Sequence, residues 1–448
     1  MTLSLEPLAQ ALIEAARRAG AEAADALVVE DSALSLDVRD GRLEQAERSE
    51  GLELGLRVLI GRRQACVSAS DARPATLAQM AERAVAMARE APEDPTVGLA
   101  APGDLARARD AAGLELEDPA AEPAPAALQE AARAAEAAAR AVRGITLIDS
   151  ASAGWGRRRM HLVASNGFSG GYGRSSTHIS CVAITGEGTG MERDWCSESR
   201  IFAADLPDPD DIGRRAGERA IARAGARKPP TGAFPVLYDE RVASSLIGHL
   251  LAAANGTAVA RGASWLRDGM GQPVLPAGLD LIEEPRARRL PASRPFDAEG
   301  LATAERAIVA GGVLQGWLLD LATARKLGLS STANATRGVA APPSPGASNI
   351  RLTPGARDRD ALIREMGRGL LVTSLLGASI NPTTGDYSRG AAGFWVENGE
   401  IAYPVNECTI AGNLREMLAG VIPANDARPH LATRVPSLLV EGLTLAGA

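Results

Sequence analysis

Residues 381–414 read NPTTGDYSRGAAGFWVENGEIAYPVNECTIAGNL, and this stretch decides the fold class. Thr384-Gly385-Asp386 and Asn398-Gly399-Glu400 are turn sequences in which glycine reaches positive φ at little steric cost. Short apolar runs at 392–396 and 401–405 flank Asn398-Gly399, and that pattern predicts an antiparallel hairpin. Gly390-Ala391-Ala392-Gly393-Phe394-Trp395 offers close backbone approach, at an interface or within the sheet. A segment so dense in turns and strands belongs to a β-rich body.

Working outward, Lys228-Pro229-Pro230-Thr231-Gly232 marks the principal boundary. Beyond it come a strand at 234–238, an apolar stretch at 242–260 that reads as a buried helix, and a further helix at 360–368. Upstream, Leu8, Leu12, Ala15 and Ala16 recur at helical spacing up to Gly20. Runs at 26–29, 34–38, 52–59 and 64–70 then read as strands, and Pro74 opens a second helix. Residues 92–125 are rich in Pro, Ala, Asp and Glu and read as a connector. A strongly alanine-biased helix follows at 126–142, then long antiparallel strands between 145 and 202. Arg157-Arg158-Arg159 reads as a solvated stretch entering a strand. Asp210 or Asp211 is expected to cap a helix at 212–224. The fold class is therefore α+β: an N-terminal helix and antiparallel-sheet half, and a β-rich, barrel- or sandwich-like C-terminal half carrying a buried helix. The domains expected are 1–91, 126–227 and 228–448, with 92–125 between the first two.

Composition excludes several functions. The 448 residues carry 48 Lys and Arg against 55 Asp and Glu, a net charge of −7, with both signs interspersed. A nucleic-acid footprint needs a basic face, and aromatic residues at 3% are too few for base-stacking platforms. Cys66, Cys181, Cys196 and Cys408 show no CxxC spacing and read as free thiols of a reducing compartment. Residues 1–20 start without a basic region and carry Glu6 and Glu14, so they read as neither signal peptide nor membrane span. A cytoplasmic protein with no membrane association is expected.

Few residues offer chemistry. The chain has four histidines, His161, His178, His249 and His430, without an HxxxH, HxH or HExxH pairing. Ser244 or Ser245 pairs on paper with His249 as nucleophile and base, since Ser245 stands one helical turn before it. Nothing resembles a GxSxG elbow, and a mid-helix nucleophile lacks an oxyanion hole. Asp297 and Glu299 are candidate paired carboxylates or turn residues. Asn381, Thr384 and Asp386 are candidates for a substrate groove or for a structural turn. Gly186-Glu187-Gly188-Thr189-Gly190 lacks a following Lys-Ser/Thr and reads as a hairpin loop.

Residues 381–414, with Pro295-Phe296-Asp297-Ala298-Glu299-Gly300 and Ala324-Arg325-Lys326-Leu327-Gly328, resemble signatures of the PmbA (TldE) branch of the TldD/PmbA zinc peptidase family. Ser165-Asn166-Gly167-Phe168 and Met191-Glu192-Arg193-Asp194 are similar to the family's central marks. The TldD branch carries an HExxxH helix whose histidines bind zinc and whose glutamate activates water. The resemblance places Ser244 at the first histidine, Ser245 at the glutamate and His249 at the second histidine. Hydroxyls are poor zinc ligands and no base at neutral pH. The TldD branch also uses a cysteine near its C-terminus as a ligand, and residues 429–442 contain none.

The resemblance thus implies a subunit with no metal or other cofactor of its own, paired as a heterodimer with a zinc-bearing TldD-type subunit and handling unfolded or small peptides. A homodimer in isolation, a standalone hydrolase using His249 with a serine or with carboxylates, and a non-enzymatic peptide-binding homodimer are the alternatives.

Overall fold

The structure, a computed structural model, describes residues 4–447; the first three residues of the N-terminal segment discussed above, and Ala448, lie outside them. Helix α1 (Leu5–Ala19) ends at Gly20 in the left-handed conformation, as the spacing predicts. Strands β1 (Ala23–Arg39), β2 (Arg42–Ile60) and β3 (Arg63–Ala69) follow, then helices α2 (Pro74–Glu90) and α3 (Pro125–Arg140). Strands β4 (Ile145–Ala164), β5 (Ser169–Thr185) and β6 (Glu192–Arg200) precede helix α4 (Pro209–Ala222). All six strands join one antiparallel sheet in the order β3-β2-β1-β4-β5-β6.

Three local expectations differ from what is observed. The runs at 26–29 and 34–38 belong to one strand, because the polar residues Glu30, Asp31 and Ser32 between them keep their pairing to β2 and β4 without a register shift. Arg157-Arg158-Arg159 lies inside β4 rather than before a strand, and Arg158 and Arg159 pair across β1 with Asp31 (3.6 Å) and Glu30 (3.3 Å). The cap of α4 is Asp208, whose carboxylate accepts the Asp210 N–H at 3.0 Å. Pro209 starts the helix earlier than expected, since its missing N–H would be unpaired in the first turn anyway.

Strand alternation divides the sheet's two faces. Ala24, Ala26 and Val28 of β1 pack with α1 and α2, and Leu34, Leu36 and Val38 pack with α3 and α4. Leu27 and Val29, on the opposite parity, pack with Leu162, Phe168 and Phe296, so this face receives the C-terminal body.

That body is built on a closed barrel. Strands β7 (Gly232–Tyr238), β8 (Gly369–Ile380), β9 (Asp386–Glu397), β10 (Glu400–Asn413) and β11 (Leu438–Ala446) pair in the order β10-β9-β8-β7-β11. The end of β11 returns to β10 through Thr409↔Ala446, Ile410↔Leu445 and Ala411↔Thr444, which closes the ring. Closure removes free edges and requires strands to bend, and register shifts occur in β8, β9 and β11. Asn398-Gly399 is the turn between β9 and β10. Gly393 sits beside the β9 shift, and a Cβ there would lie 1.9 Å from the Leu371 carbonyl oxygen. The small residue therefore serves packing within the sheet.

Helix α5 (Glu240–Ala253) is capped by Asp239 and buries Ala243, Leu246, Ile247 and Leu250 against Val236, Tyr238, Leu370 and Val372 of the barrel. Leu237, Leu371 and Leu439 face the other way, onto helix Arg359–Met366. A second, five-stranded sheet of short strands includes Leu281–Glu283, Arg306–Ala310 and Ile350–Leu352. None of the described helices is long and apolar enough to cross a membrane.

Candidate functional site

Helix α5 carries the three residues singled out for a metal or nucleophile site. It is one continuous α-helix from Glu240 to Ala253. Positions five apart on such a helix point about 140° away from each other, so Ser244 and His249 diverge. Ser245 lies one turn before His249, but its hydroxyl donates to the Val242 carbonyl at 2.7 Å, a bond within its own helix. His249 Nε2 is buried and has no hydrogen-bond partner. Its ring meets Tyr387 of β9 edge-on, with centroids 5.9 Å apart, and the Tyr387 hydroxyl receives the Tyr238 hydroxyl at 3.4 Å. Burial, reinforced by the positive charge of Arg389, pushes the His249 pKa down and favours the neutral ring.

This is not the donor set of a zinc centre. Zinc takes thiolate, imidazole or carboxylate ligands in tetrahedral array, whereas α5 offers one imidazole and two hydroxyls. Among the described residues no group of three or more His, Cys, Asp or Glu side chains is placed to hold a metal ion. Cys408 is buried in β10 with its thiol directed to the Ala391 carbonyl, and burial pushes its pKa up to about 11. All four cysteines are free.

The two carboxylates of the FDAEG segment are almost wholly buried, Asp297 at 1% and Glu299 at 8% exposure. Asp297 accepts backbone N–H groups from Glu299 (2.9 Å), Leu301 (2.9 Å) and Ala335 (3.1 Å). Glu299 accepts the Leu321 N–H at 2.8 Å, at the first turn of helix Leu321–Leu327. Burial raises both pKa values, and the Asp297 charge raises that of Glu299 further. Three N–H donors favour charge on Asp297 against one on Glu299, so Glu299 keeps its proton to the higher pH of the two. Asn381, Thr384 and Asp386 form a turn network instead: Asn381 Oδ1 accepts from Thr383 N at 3.0 Å, and Thr384 Oγ1 donates to Asp386 at 2.6 Å.

Sequence reasoning passed over a second cluster where the sheet meets the C-terminal body. Asp25 of β1 is buried between Arg57 of β2, 2.5 Å away, and Arg337. Gly55 of β2 lies against Val339, close enough that a Cβ would stand 2.2 Å from its carbonyl oxygen. The signal was present, since Asp25 and Arg57 each interrupt an otherwise apolar strand run.

A six-stranded antiparallel sheet backed by helices and joined to a closed barrel that carries a buried helix is the architecture whose relatives identify the class. The chain belongs to the PmbA/TldA metallopeptidase family, in its PmbA/TldE branch: models of domain 1, the central domain and the C-terminal domain match residues 24–88, 117–224 and 231–447. It is 36% identical to the metalloprotease PmbA of Escherichia coli O157:H7 over 427 residues, covering 95% of this chain and 92% of that one. A proposed modulator of DNA gyrase from Bacteroides thetaiotaomicron has a similar crystal structure, with a TM-score of 0.91 and 28% identity over 99% of this chain and 98% of the other. TldE from Thermococcus kodakarensis shares the fold, with a TM-score of 0.85 and 20% identity over 98% of this chain and all (100%) of that one.

Proposed function

We propose that this chain is the metal-free partner in a two-chain peptidase whose second, TldD-type subunit carries the zinc. The feature that supports this reading most is α5, where the resemblance aligns Ser244, Ser245 and His249 with the HExxxH of the TldD branch, and where His249 Nε2 is buried without a hydrogen-bond partner. In this reading the partner supplies metal, base and third ligand. The present chain supplies half of an enclosed chamber and backbone edges on which an unfolded or small peptide pairs as an added strand.

The alternatives lack comparable support. A serine–histidine couple needs a hydrogen bond that Ser245 gives to Val242 instead. Asp297 is engaged by three backbone amides and has no hydroxyl partner.

Mixing tests the proposal. The purified chain alone is expected to hold less than stoichiometric zinc and to leave an unfolded casein substrate intact. Adding a TldD-type chain should create chelator-sensitive proteolysis, which His249→Ala in the present chain leaves standing. Stoichiometric zinc and proteolysis by the chain alone, both lost in His249→Ala, would overturn it.

A further inference from the structure

Between the Leu27 and Val29 face of the first sheet and the C-terminal body lies a cleft of about 290 Å³. Strands β1 and β4 contribute Leu27, Met160 and Leu162, and the C-terminal body contributes Phe296. The same cleft is lined by three guanidinium groups, Arg174, Arg294 and Arg337, and by the single carboxylate of Asp297.

The charges in this wall do not balance. Arg294 is 8% exposed and bonds only the carbonyls of Ala335 and Gly346, at 3.3 and 2.8 Å. Arg174 bonds the carbonyls of Pro291 and Ser293 and the Tyr172 hydroxyl. Arg337, with its side chain 1% exposed, pairs with Asp25, but Asp25 is shared with Arg57. Asp297 has its oxygens turned to backbone amides. Arg294 Nε and both Nε and Nη2 of Arg337 have no acceptor at all. Buried guanidinium donors without acceptors are unfavourable, and an anion brought to such a wall supplies acceptors that Arg294 and Arg337 lack.

The shape of the wall selects among anions. Guanidinium forks match a carboxylate's planar pair of oxygens. A phosphate dianion would meet Asp297 and would leave the half-buried apolar lining at Met160, Ala292 and Ala347 uncovered. We propose that this cleft binds the carboxylate of a small acid with an apolar body, either free or as the last residue of a peptide. The proposal is independent of the two-chain reading, since it concerns this chain alone.

Calorimetric titration of the full chain with N-acetyl-leucine, its amide, a leucine-terminated tetrapeptide, the amide of that tetrapeptide, and inorganic phosphate tests it. The acids should bind about tenfold or more tightly than their amides, and phosphate should not compete. A free acid that binds as well as the peptide acid identifies the small molecule as sufficient; a tighter peptide acid identifies the peptide end as the ligand. Arg294→Gln should abolish the preference for acid over amide. Should that variant fail to fold, Ala292→Leu fills the cleft while leaving every guanidinium in place, and it should abolish binding in a chain that melts like the parent. Acid and amide binding alike, no binding of either, phosphate binding on a par with the acid, or full binding by a folded Ala292→Leu chain would each overturn the proposal.

Discussion

Asp25 and Arg337, 312 positions apart, form a buried ion pair that ties the first sheet to the C-terminal body. Arg57 shares the same carboxylate through Nε at 2.7 Å. Burial alone would push the Asp25 pKa up, but the charges of Arg337 and then Arg57 more than offset it and hold the carboxyl below its ordinary value of 3.8. Removing the carboxylate leaves two guanidinium groups facing each other out of water. Asp25→Ala should therefore lose about 3–5 kcal/mol of stability in urea denaturation at neutral pH. Because the folded pKa is depressed, this stabilisation is complete above 3.8 and is lost as pH falls through the lower folded value. Parent and variant melting temperatures should converge there; a constant gap across that range would refute the assignment.

The unpartnered Nε2 of His249 carries a prediction about stability. With no hydrogen bond at Nε2 to lose, His249→Phe should change stability at neutral pH by only about 1 kcal/mol or less. The parent must protonate a ring that burial and Arg389 keep neutral, so it should lose stability as pH falls below 6.5, and the variant should lack that component of the slope. Denaturation curves at several pH values read this directly.

Glu299 behaves in the reverse sense. Its pKa is raised above 4.5 by burial and by Asp297, so its contribution is complete below 4.5 and is lost as pH rises through the folded value. Glu299→Gln mimics the protonated form. The parent should fall progressively relative to this variant as pH rises, and parallel stability profiles would show that the proton is not held there.

Gly393 gives a purely steric prediction. A Cβ placed 1.9 Å from the Leu371 carbonyl oxygen cannot be absorbed by rotating a side chain, because the neighbour is backbone. Gly393→Ala should destabilise the C-terminal body by about 2 kcal/mol or more, seen as a lower urea midpoint, whereas Gly41→Ala on the open β1–β2 turn changes only local strain at positive φ.

Legibility in the sequence followed the range of the interaction. Asn398-Gly399, the Gly20 helix end and Pro74 at the start of α2 act within a few residues, and all three stand where expected. The α+β class and the β-rich C-terminal half were legible from turn density and apolar runs, which left barrel and sandwich both open, and the closed ring decides for the barrel. The pairing of β11 with both β7 and β10 was not, because Leu445 meets Gly232 and Ile410 across long stretches of chain whose patterns specify a strand but not its neighbour. Around His249, the helix was legible, but Tyr387 and Arg389 come from another strand. The Asp25–Arg57–Arg337 cluster left only a trace, two charges inside apolar runs, and the third member lies in a segment without periodicity.

Ring closure also orders events during synthesis. Leu438–Ala446 supplies the strand that β7 and β10 both need, so a ribosome translating this message exposes an unzipped stave-work until those residues clear the exit tunnel. The sheet, α1 to α4 and their helical backing can assemble first, while the barrel must wait for Leu438–Ala446, far along the chain from β7, and is the part of the nascent chain most in need of shelter.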